Sequence, residues 1–538
     1  MSNAPIAIEQ QSASEKKTTF ALIAVFTTYF ASTYIFRGVS VASPRIAADL
    51  NGMSLYSWAI SLPALGAAFV TLIFGKLSDM YGRRLMLMIC LLTYVLGAIL
   101  AAISQTFVFY IGARVVLSLG QGALSPLCFS VIGDLFSPTE RSKWSGLLQI
   151  PAGISAVLIP TFVGVLTDAL SWRYFFWIAL LLAVISGSWV LLGIPSLSRK
   201  SVHKIDFLGS FLLAIASSTM ILAFSWAGSI YSWTSIQIIG LLGVSTIFWS
   251  IFLWVEGRAE EPMLDPQVLA NRTILTAAAA AFFSSFGLLG VSMYYPLFLQ
   301  GIQRTSATLS GQILTPYSML LSFVGVPTGF LLAWTKRCKL MYSAGYGTLA
   351  IIMSSMVFFN AGTPLWLGVL VTAVAGLGIG AIPTMNTLVA QFAVPKRLLG
   401  IAVAAMFFFV FLSMAISPAI LGSAMNASYA KHLRASLPAE LSQTTEESIS
   451  EHLANPRVLL SKDAMSALRK DLEAVEGPKT ALLDKTVQAI RDSLEACLNT
   501  IFIIGAVAML FSFLLILTIP EVSMDIEPED KKRSERRA

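Results

Sequence analysis

Histidine is almost missing from this 538-residue chain: three residues, His203, His432 and His452, stand against 34 phenylalanines. All three sit in polar stretches with no convergent Cys, Asp or Glu, so no histidine-based catalytic or metal-binding constellation can be assembled from the sequence. Charge is equally scarce. Asp, Glu, Lys and Arg make up 12% of the chain, and apolar residues make up 56%; the charged share is about half that usual in soluble proteins. A soluble enzyme is excluded as the starting assumption, and no Ser-His-Asp or Cys-His arrangement points to catalytic residues. The four cysteines (Cys90, Cys128, Cys338, Cys497) lie in or beside apolar runs without paired spacing, which reads as packing thiols and not as disulfides or a zinc site. No G-x-x-x-x-G-K-[ST] occurs, so ATP is not expected as a direct energy source. Gly376, Gly378 and Gly380 fall inside an apolar run with no alternating strand-helix pattern, which favours close helix packing over a dinucleotide loop. No cleavable apolar core precedes Lys16-Lys17, and the first span reads as an anchor that stays in place.

What remains is a chain patterned for a bilayer. Fourteen apolar runs of helical length are separated by charged or Gly/Pro-rich breaks. They fall near 20–42, 57–76, 85–104, 107–134, 144–167, 173–194, 206–227, 235–255, 273–297, 309–333, 340–360, 365–391, 400–425 and 497–519, each close to the ~20 residues that span hydrocarbon. The net charge of +7 follows the same pattern and implies no nucleic-acid partner, because the basic residues cluster between spans. One set of breaks holds Lys76, Arg83, Arg84, Arg141, Lys143, Arg199, Lys200, Lys204, Arg258, Arg272, Lys336, Arg337, Lys339, Lys396 and Arg397, while the short loops of the other face hold Arg45, Arg173 and Arg304. Positive charge is retained inside, so both termini are expected in the cytoplasm of a multi-pass cell-membrane protein. One long outer loop, about 426–496, alternates acidic and basic residues with apolar ones at helical spacing in DAMSALRKDLEAV and TALLDKTVQAIRDSLEACL. It reads as amphipathic helices over the outer face, serving as a cap or spacer or, alternatively, in substrate gating.

An internal repeat organises the spans. Pro44, Gly75, Gly120 and Arg141 have counterparts in Pro296, Gly329, Gly376 and Arg397, at offsets of 252, 254, 256 and 256 residues, and FSPTERSKWSGL resembles FAVPKRLLGIAV. Near-constant offsets imply two six-helix halves, 20–194 and 273–519, with an inserted helix pair within 195–272. Segments 1–19 and 520–538 are then cytoplasmic tails, the last of them a charge run. Two-fold pseudo-repeats are the architecture of secondary transporters, with a site between halves and access alternating as they rock.

The break between the second and third spans reads GKLSDMYGRRLML. Gly75 and Gly82 permit a tight turn and close helix approach. Asp79 can accept from a neighbouring helix N-terminus, and Arg83 and Arg84 present forked donors to carboxylates. Asp134, at the end of the fourth span, is placed to pair with Arg83 or Arg84, completing a charged latch at the cytoplasmic mouth. The segment closely resembles the signature loop of the major facilitator superfamily, G-x-L-x-D-x-x-G-R-[RK]. Arg114 with Gly120 and Pro126 looks like the fourth-helix motif of its drug:proton antiporters. Pro160 and Gly164, followed by LTDALSWRYFF, look like their fifth-helix motif. The inserted pair, EGRAEEPMLDPQVLANR and MYYPLFLQ resemble the fourteen-helix branch. The resemblance implies an all-α polytopic major facilitator fold and proton-driven export of small amphipathic compounds, with a transmembrane ion gradient in place of any cofactor, and a monomer; it names no accessory export partner.

The chain departs from that pattern in several places. Leu117 and Ser118 replace residues that are often Gln-Gly, Ile159 and Val163 replace two glycines, and Ile35 stands where the branch commonly has an acid. No Asp or Glu lies in the middle of a predicted span. The two charges at membrane depth are Arg37 and Arg114, and a buried ionisable group is a functional-site hypothesis by default; Arg37 can also snorkel to headgroups. These arginines keep open a uniporter or symporter of an organic anion, while a non-transporting receptor or membrane enzyme is a remote alternative. Gln149, Asn386 and Gln391 are polar groups within spans that either bond between helices or line the cavity. Tyr294 and Tyr295 either anchor at the membrane interface or line the cavity.

Overall fold

The computed structural model describes residues 4–52, 55–195, 207–228, 230–258, 268, 270–437 and 480–521. Among these the regular structure is all helix, joined by turns and short loops, apart from one isolated bridge between Ala227 and Tyr231. The first half holds α1 (Ala4–Asp49), α2 (Tyr56–Tyr81), α3 (Arg83–Ala102), α4 (Phe107–Leu135), α5 (Pro138–Leu147), α6 (Gln149–Ala169) and α7 (Trp172–Gly193). Then come α8 (Phe207–Trp226) and α9 (Ile236–Glu256). The second half holds α10 (Arg272–Leu289), a π-turn (Gly290–Tyr294), α11 (Tyr295–Gly301), α12 (Ala307–Phe323), α13 (Gly325–Thr335), α14 (Cys338–Met356), α15 (Leu365–Phe392), α16 (Leu399–Ser436) and α17 (Thr480–Leu517).

All fourteen apolar runs fall on helix. Among the described residues eleven helices are long and apolar enough to cross a membrane, or twelve if the pair α12–α13, bent by 45°, forms one span. The two other expected spans are α8, whose apolar stretch Phe211–Trp226 is short, and α14, which opens on the mixed sequence CKLMYSAGYG. The helix starts follow local chemistry: Thr106, Ser171, Ser235, Asn271 and Ser306 each accept from a backbone N–H of the following first turn, as N-cap residues do. The π-turn precedes Pro296, whose missing N–H and ring bulk forbid a regular α-helical bond.

The expected outer loop is shorter than its sequence suggested. The last residues of α16 reach Ser436 and α17 begins at Thr480, so 426–436 and 480–496 are continuations of the spans. Thr486, Ile490, Ser493, Leu494 and Cys497 are buried at heptad-like spacing, and Tyr429 and Leu433 are buried on the facing helix. Ser428 Oγ lies 3.0 Å from Thr500 Oγ1. The DAMSALRKDLEAV segment, Arg199, Lys200, Lys204 and the C-terminal charge run lie outside the described residues. At the other end, helix α1 already begins at Ala4, within the segment expected to be a tail.

Buried apolar side chains form two large clusters. One draws on α1 to α7 and takes in Val403 of α16, and the other runs from Val268 to Ile519. A smaller third cluster joins Leu65, Ala68 and Leu72 of α2 to Leu212 of α8 and to Ala404, Phe408 and Leu412 of α16. Glycine sets the spacing inside the first half. A Cβ on Gly120 would lie 2.5 Å from Tyr94 N and from Cys90 O, and one on Gly122 would lie 2.5 Å from Ala67 O. Several polar groups inside the spans are satisfied between helices, as hydrocarbon favours. Thr71 Oγ1 donates 2.9 Å to Gly122 O, Gln121 Nε2 donates 3.1 Å to Ser32 O, and Thr33 and Ser155 share a 2.8 Å hydroxyl contact. Gly120→Val is expected to destabilise the protein by about 1–3 kcal/mol or to prevent its assembly. By contrast, Gly164→Ala, with nothing within 4 Å of its Cβ position, is expected to be neutral. Thermal unfolding in detergent compares the two.

Candidate functional site

The helix α16 starts badly on its own. Its N-cap position is Leu398, which offers no side-chain acceptor, so the first-turn N–H groups lack local partners. The partner comes from the other half: Asp79, at the end of α2, takes the N–H of Gly400 at 3.0 Å and that of Ile401 at 2.9 Å. Asp79 thus caps α16 in trans, with its negative charge at the positive end of that helix.

Arg83, the first residue of α3, holds the carboxylate in place. Its Nη2 lies 2.6 Å from Asp79 Oδ1, its Nε donates 2.8 Å to Asp134 Oδ2 at the end of α4, and its Nη1 donates to Ser78. Both Asp79 and Arg83 side chains are more than nine-tenths buried, whereas Asp134 is 30% exposed. A buried pair of this kind, with each Arg83 nitrogen and each Asp79 oxygen partnered, is costly to break one-sidedly. Gly82, at φ 94°, turns α2 into α3, which brings Arg83 back over Asp79. Arg84 forms no ion pair among the described residues; of the two arginines offered by the sequence, Asp134 takes Arg83.

Two glycine contacts bring the halves together at this rim. A Cβ on Gly75 would lie 3.0 Å from Gly400 O, and one on Gly400 would lie 2.7 Å from Gly75 O and 2.6 Å from Asp79 Oδ1. On the other side of the seam, a Cβ on Gly146 of α5 would lie 2.8 Å from Gly325 O and 3.1 Å from Gly329 Cα. Gln391 of α15 crosses as well, its Nε2 donating 2.8 Å to Phe129 O of α4. Gly400, Ile401, Ser78, Gly146 and Gly329 were not among the residues expected from the sequence. The glycine in GIAV and the repeat partnership of Gly75 with Gly329 were the available signals.

The remaining expected residues separate into groups. Arg37 is half-buried beneath no carboxylate; it lies over the Phe36 ring at 5.7 Å and within electrostatic reach of Tyr29, in its own helix, and of Tyr317, in α12 of the other half. Arg114 is buried inside the first half near Tyr94 and Tyr110, with Nε and Nη1 unpartnered. Tyr294 and Tyr295 are not interface anchors: both are at most 2% exposed, within the second half's core, where Tyr295 stacks on Phe298 at 5.8 Å. Asn386 accepts from the Tyr342 hydroxyl within the second half, a helix-to-helix bond. Gln149 lies at the seam with Nε2 unpartnered. Pro160 sits inside α6, and a Cβ on Gly164 would meet nothing within 4 Å. Among the described residues no group of three or more His, Cys, Asp or Glu side chains could hold a metal ion.

Breaking the clasp should loosen the rim. With Asp79→Asn, a cysteine placed at Leu399 is expected to react several-fold faster with a membrane-impermeant thiol reagent than in the otherwise unaltered chain. An equal rate in both backgrounds would mean that the trans cap does not hold the rim.

The geometry has counterparts among known proteins. The Major Facilitator Superfamily model matches residues 23–418. An uncharacterised MFS-type transporter of Mycobacterium tuberculosis is 31% identical over 68% of this chain and 54% of its own length, so the chain aligns with about half of that relative. The multidrug transporter protein MdtP of Bacillus subtilis is 27% identical, with 97% of each chain covered. The human organic anion transporter MFSD10 superposes with a TM-score of 0.57 at 14% identity, over 93% of this chain and 99% of its own. The proton:xylose symporter XylE superposes with a TM-score of 0.58 at 12% identity, over 97% and 99%. At these identities the two structures speak for the fold alone. On the family match over most of its length, the chain belongs to the Major Facilitator Superfamily of membrane transporters.

Proposed function

We propose that this transporter exports small amphipathic compounds by alternating access, driven by inward proton movement. The halves 20–194 and 273–519 rock about the seam, with the inserted pair at 195–272 alongside. The observation that carries the reading is the trans cap: a buried carboxylate of one half completes the first turn of a helix in the other, so the rim is held while the cap is made and released when it breaks. With basic breaks and both termini on the cytoplasmic side of the cell membrane, this conformation is closed to the inside. Relatives named as a multidrug transporter and a multidrug resistance protein, both from Bacillus subtilis, support export, and the chain is read as working as a monomer.

In proteoliposomes with an imposed pH gradient, addition of ethidium to the unaltered chain is expected to elicit proton flux. Asp79→Asn is expected to reduce that flux at least tenfold, the scale of one charge-assisted hydrogen bond of about 1.5–3 kcal/mol. Substrate movement without proton flux would overturn the coupling, and an unchanged rate in Asp79→Asn would overturn the clasp mechanism.

A second reading, a uniporter or symporter of an organic anion, is favoured by one observation. Arg37 at the seam and Arg114 behind it face tyrosines and no acid, and α1 holds no acidic residue between Phe20 and Ala48. Under this reading Arg114→Ala is expected to abolish transport of an organic anion such as carboxyfluorescein. Ethidium export that survives the same substitution at full rate would favour the first reading.

A further inference from the structure

Two interrupted helices meet across the seam at their interruptions. In the first half, α5 gives way to α6 at Leu148; in the second, α12 gives way to α13 at Val324, with a bend of 45°. The residue after each break faces the other half. A Cβ on Gly325 would lie 2.5 Å from Gln149 Cγ and 2.8 Å from Thr384 Oγ1 of α15, so both side chains close on the bare α-carbon that opens α13. Discontinuous helices carry substrate sites in transporters because their broken ends offer unspent backbone polarity near the middle of the membrane. Gln149 lies eleven residues from Pro138 at the start of α5, Gly325 ten from Thr335 and Thr384 eight from Phe392, or about 12–17 Å in from the rim at 1.5 Å per residue.

Both side chains have unused hydrogen-bonding capacity. Gln149 is 8% exposed and Thr384 0%, yet Gln149 Nε2 and Thr384 Oγ1 make no hydrogen bond. For Thr384 this is unusual within its own helix. Thr387 donates 2.9 Å to Pro383 O and Thr372 2.8 Å to Gly368 O, the ordinary resting place of a hydroxyl in a membrane helix. An amide donor and a hydroxyl buried without a protein partner penalise this conformation, and the penalty is relieved when the halves part and an acceptor enters. The positive end of α13 adds to the demand for an electron-rich atom.

We propose that the crossing of these two broken helices is a substrate subsite, in which Gln149 Nε2 and Thr384 Oγ1 donate to an acceptor oxygen, carbonyl or carboxylate, of the transported molecule. The site rests on the export reading and adds a selectivity to it: amphipaths bearing such an oxygen are held and those without it are not.

The test uses the full chain in proteoliposomes with three probes. Tetraphenylphosphonium has no acceptor atom, chloramphenicol offers a neutral amide carbonyl, and carboxyfluorescein offers carboxylates. Thr384→Val and Gln149→Leu are each expected to raise the KM for chloramphenicol, carboxyfluorescein or both about tenfold, the worth of one hydrogen bond, while leaving tetraphenylphosphonium unchanged. Which of the two probes responds identifies the oxygen. Thr384→Val is also expected to keep the melting temperature of the unaltered chain, since its hydroxyl makes no bond to lose. A fall in melting temperature, an equal effect on all three probes, or no effect on either oxygen-bearing probe would overturn the subsite. So would movement of tetraphenylphosphonium alone by the unaltered chain, although export would stand. If the unaltered chain moves none of the three, the export reading falls and the subsite with it.

Discussion

The first turn of α16 cannot satisfy itself, and most of the rim's architecture follows from that deficiency. Leu398 offers nothing to the N–H groups of Gly400 and Ile401, so a carboxylate must come from elsewhere. It can arrive only if α2 comes within backbone contact, hence glycine at 75 and at 400. It can remain charged while buried only if a cation sits beside it, hence Arg83 at the start of α3. Arg83 in turn needs a second acceptor, which Asp134 supplies from α4. The ends of four helices from two halves are thereby bound into one electrostatic unit, and no member can be removed without stranding another.

The two sides of the seam close by different means. Around Gly75 and Gly400 the contact is steric and ionic together. Around Gly146, Gly325 and Gly329 the backbones approach closely, and the residue one repeat beyond Asp79, 254 positions on, is Ala333, which offers no carboxylate. The positive φ of Gly82 nevertheless persists at its repeat partner Lys336, at φ 55°. The fold has kept the turn and dropped the charge. The carboxylate cap supplied by Asp79 has no counterpart at its repeat position.

Much of this was legible in the amino-acid order, because the bilayer enforces simple rules. Hydrocarbon length set the spans, helix N-terminal chemistry set many of their starts, and Gly75, Asp79, Gly82 and Arg83 announced a turn able to cap and to pair. Less legible was anything decided by what lies opposite. Asp79 reads as a capping residue, but nothing in its surroundings says that Gly400 and Ile401 receive it. Tyr294 and Tyr295 sit where interface aromatics sit, and only packing puts them inside, Tyr295 against Phe298 and Phe359. The extent of α16 and α17 beyond the expected loop boundary was hidden for a similar reason: charged residues at helical spacing look alike whether they lie over a surface or prolong a span. The bend at Val324 does have a local cause, Pro327 in the first turn of α13, which leaves Phe323 O without its N–H; that α5 and α15 pack against it is what no local pattern encodes.

The inserted pair has its own mechanical consequence. At the rim remote from Asp79, Trp226 at the end of α8 packs on Trp58 of α2 with ring centroids 4.8 Å apart. Just beyond it, Trp233 Nε1 donates 2.7 Å to Ser423 of α16, and Gly228, at φ 74°, lets the chain fold tightly enough to reach. One short connector is therefore fastened to both moving bodies on a single flank. Under the proposed rocking of the halves, that flank is expected to act as a leash, so that the distant mouth widens away from it, along α6 and α12, and a solute passing there meets a doorway with a fixed jamb on one side.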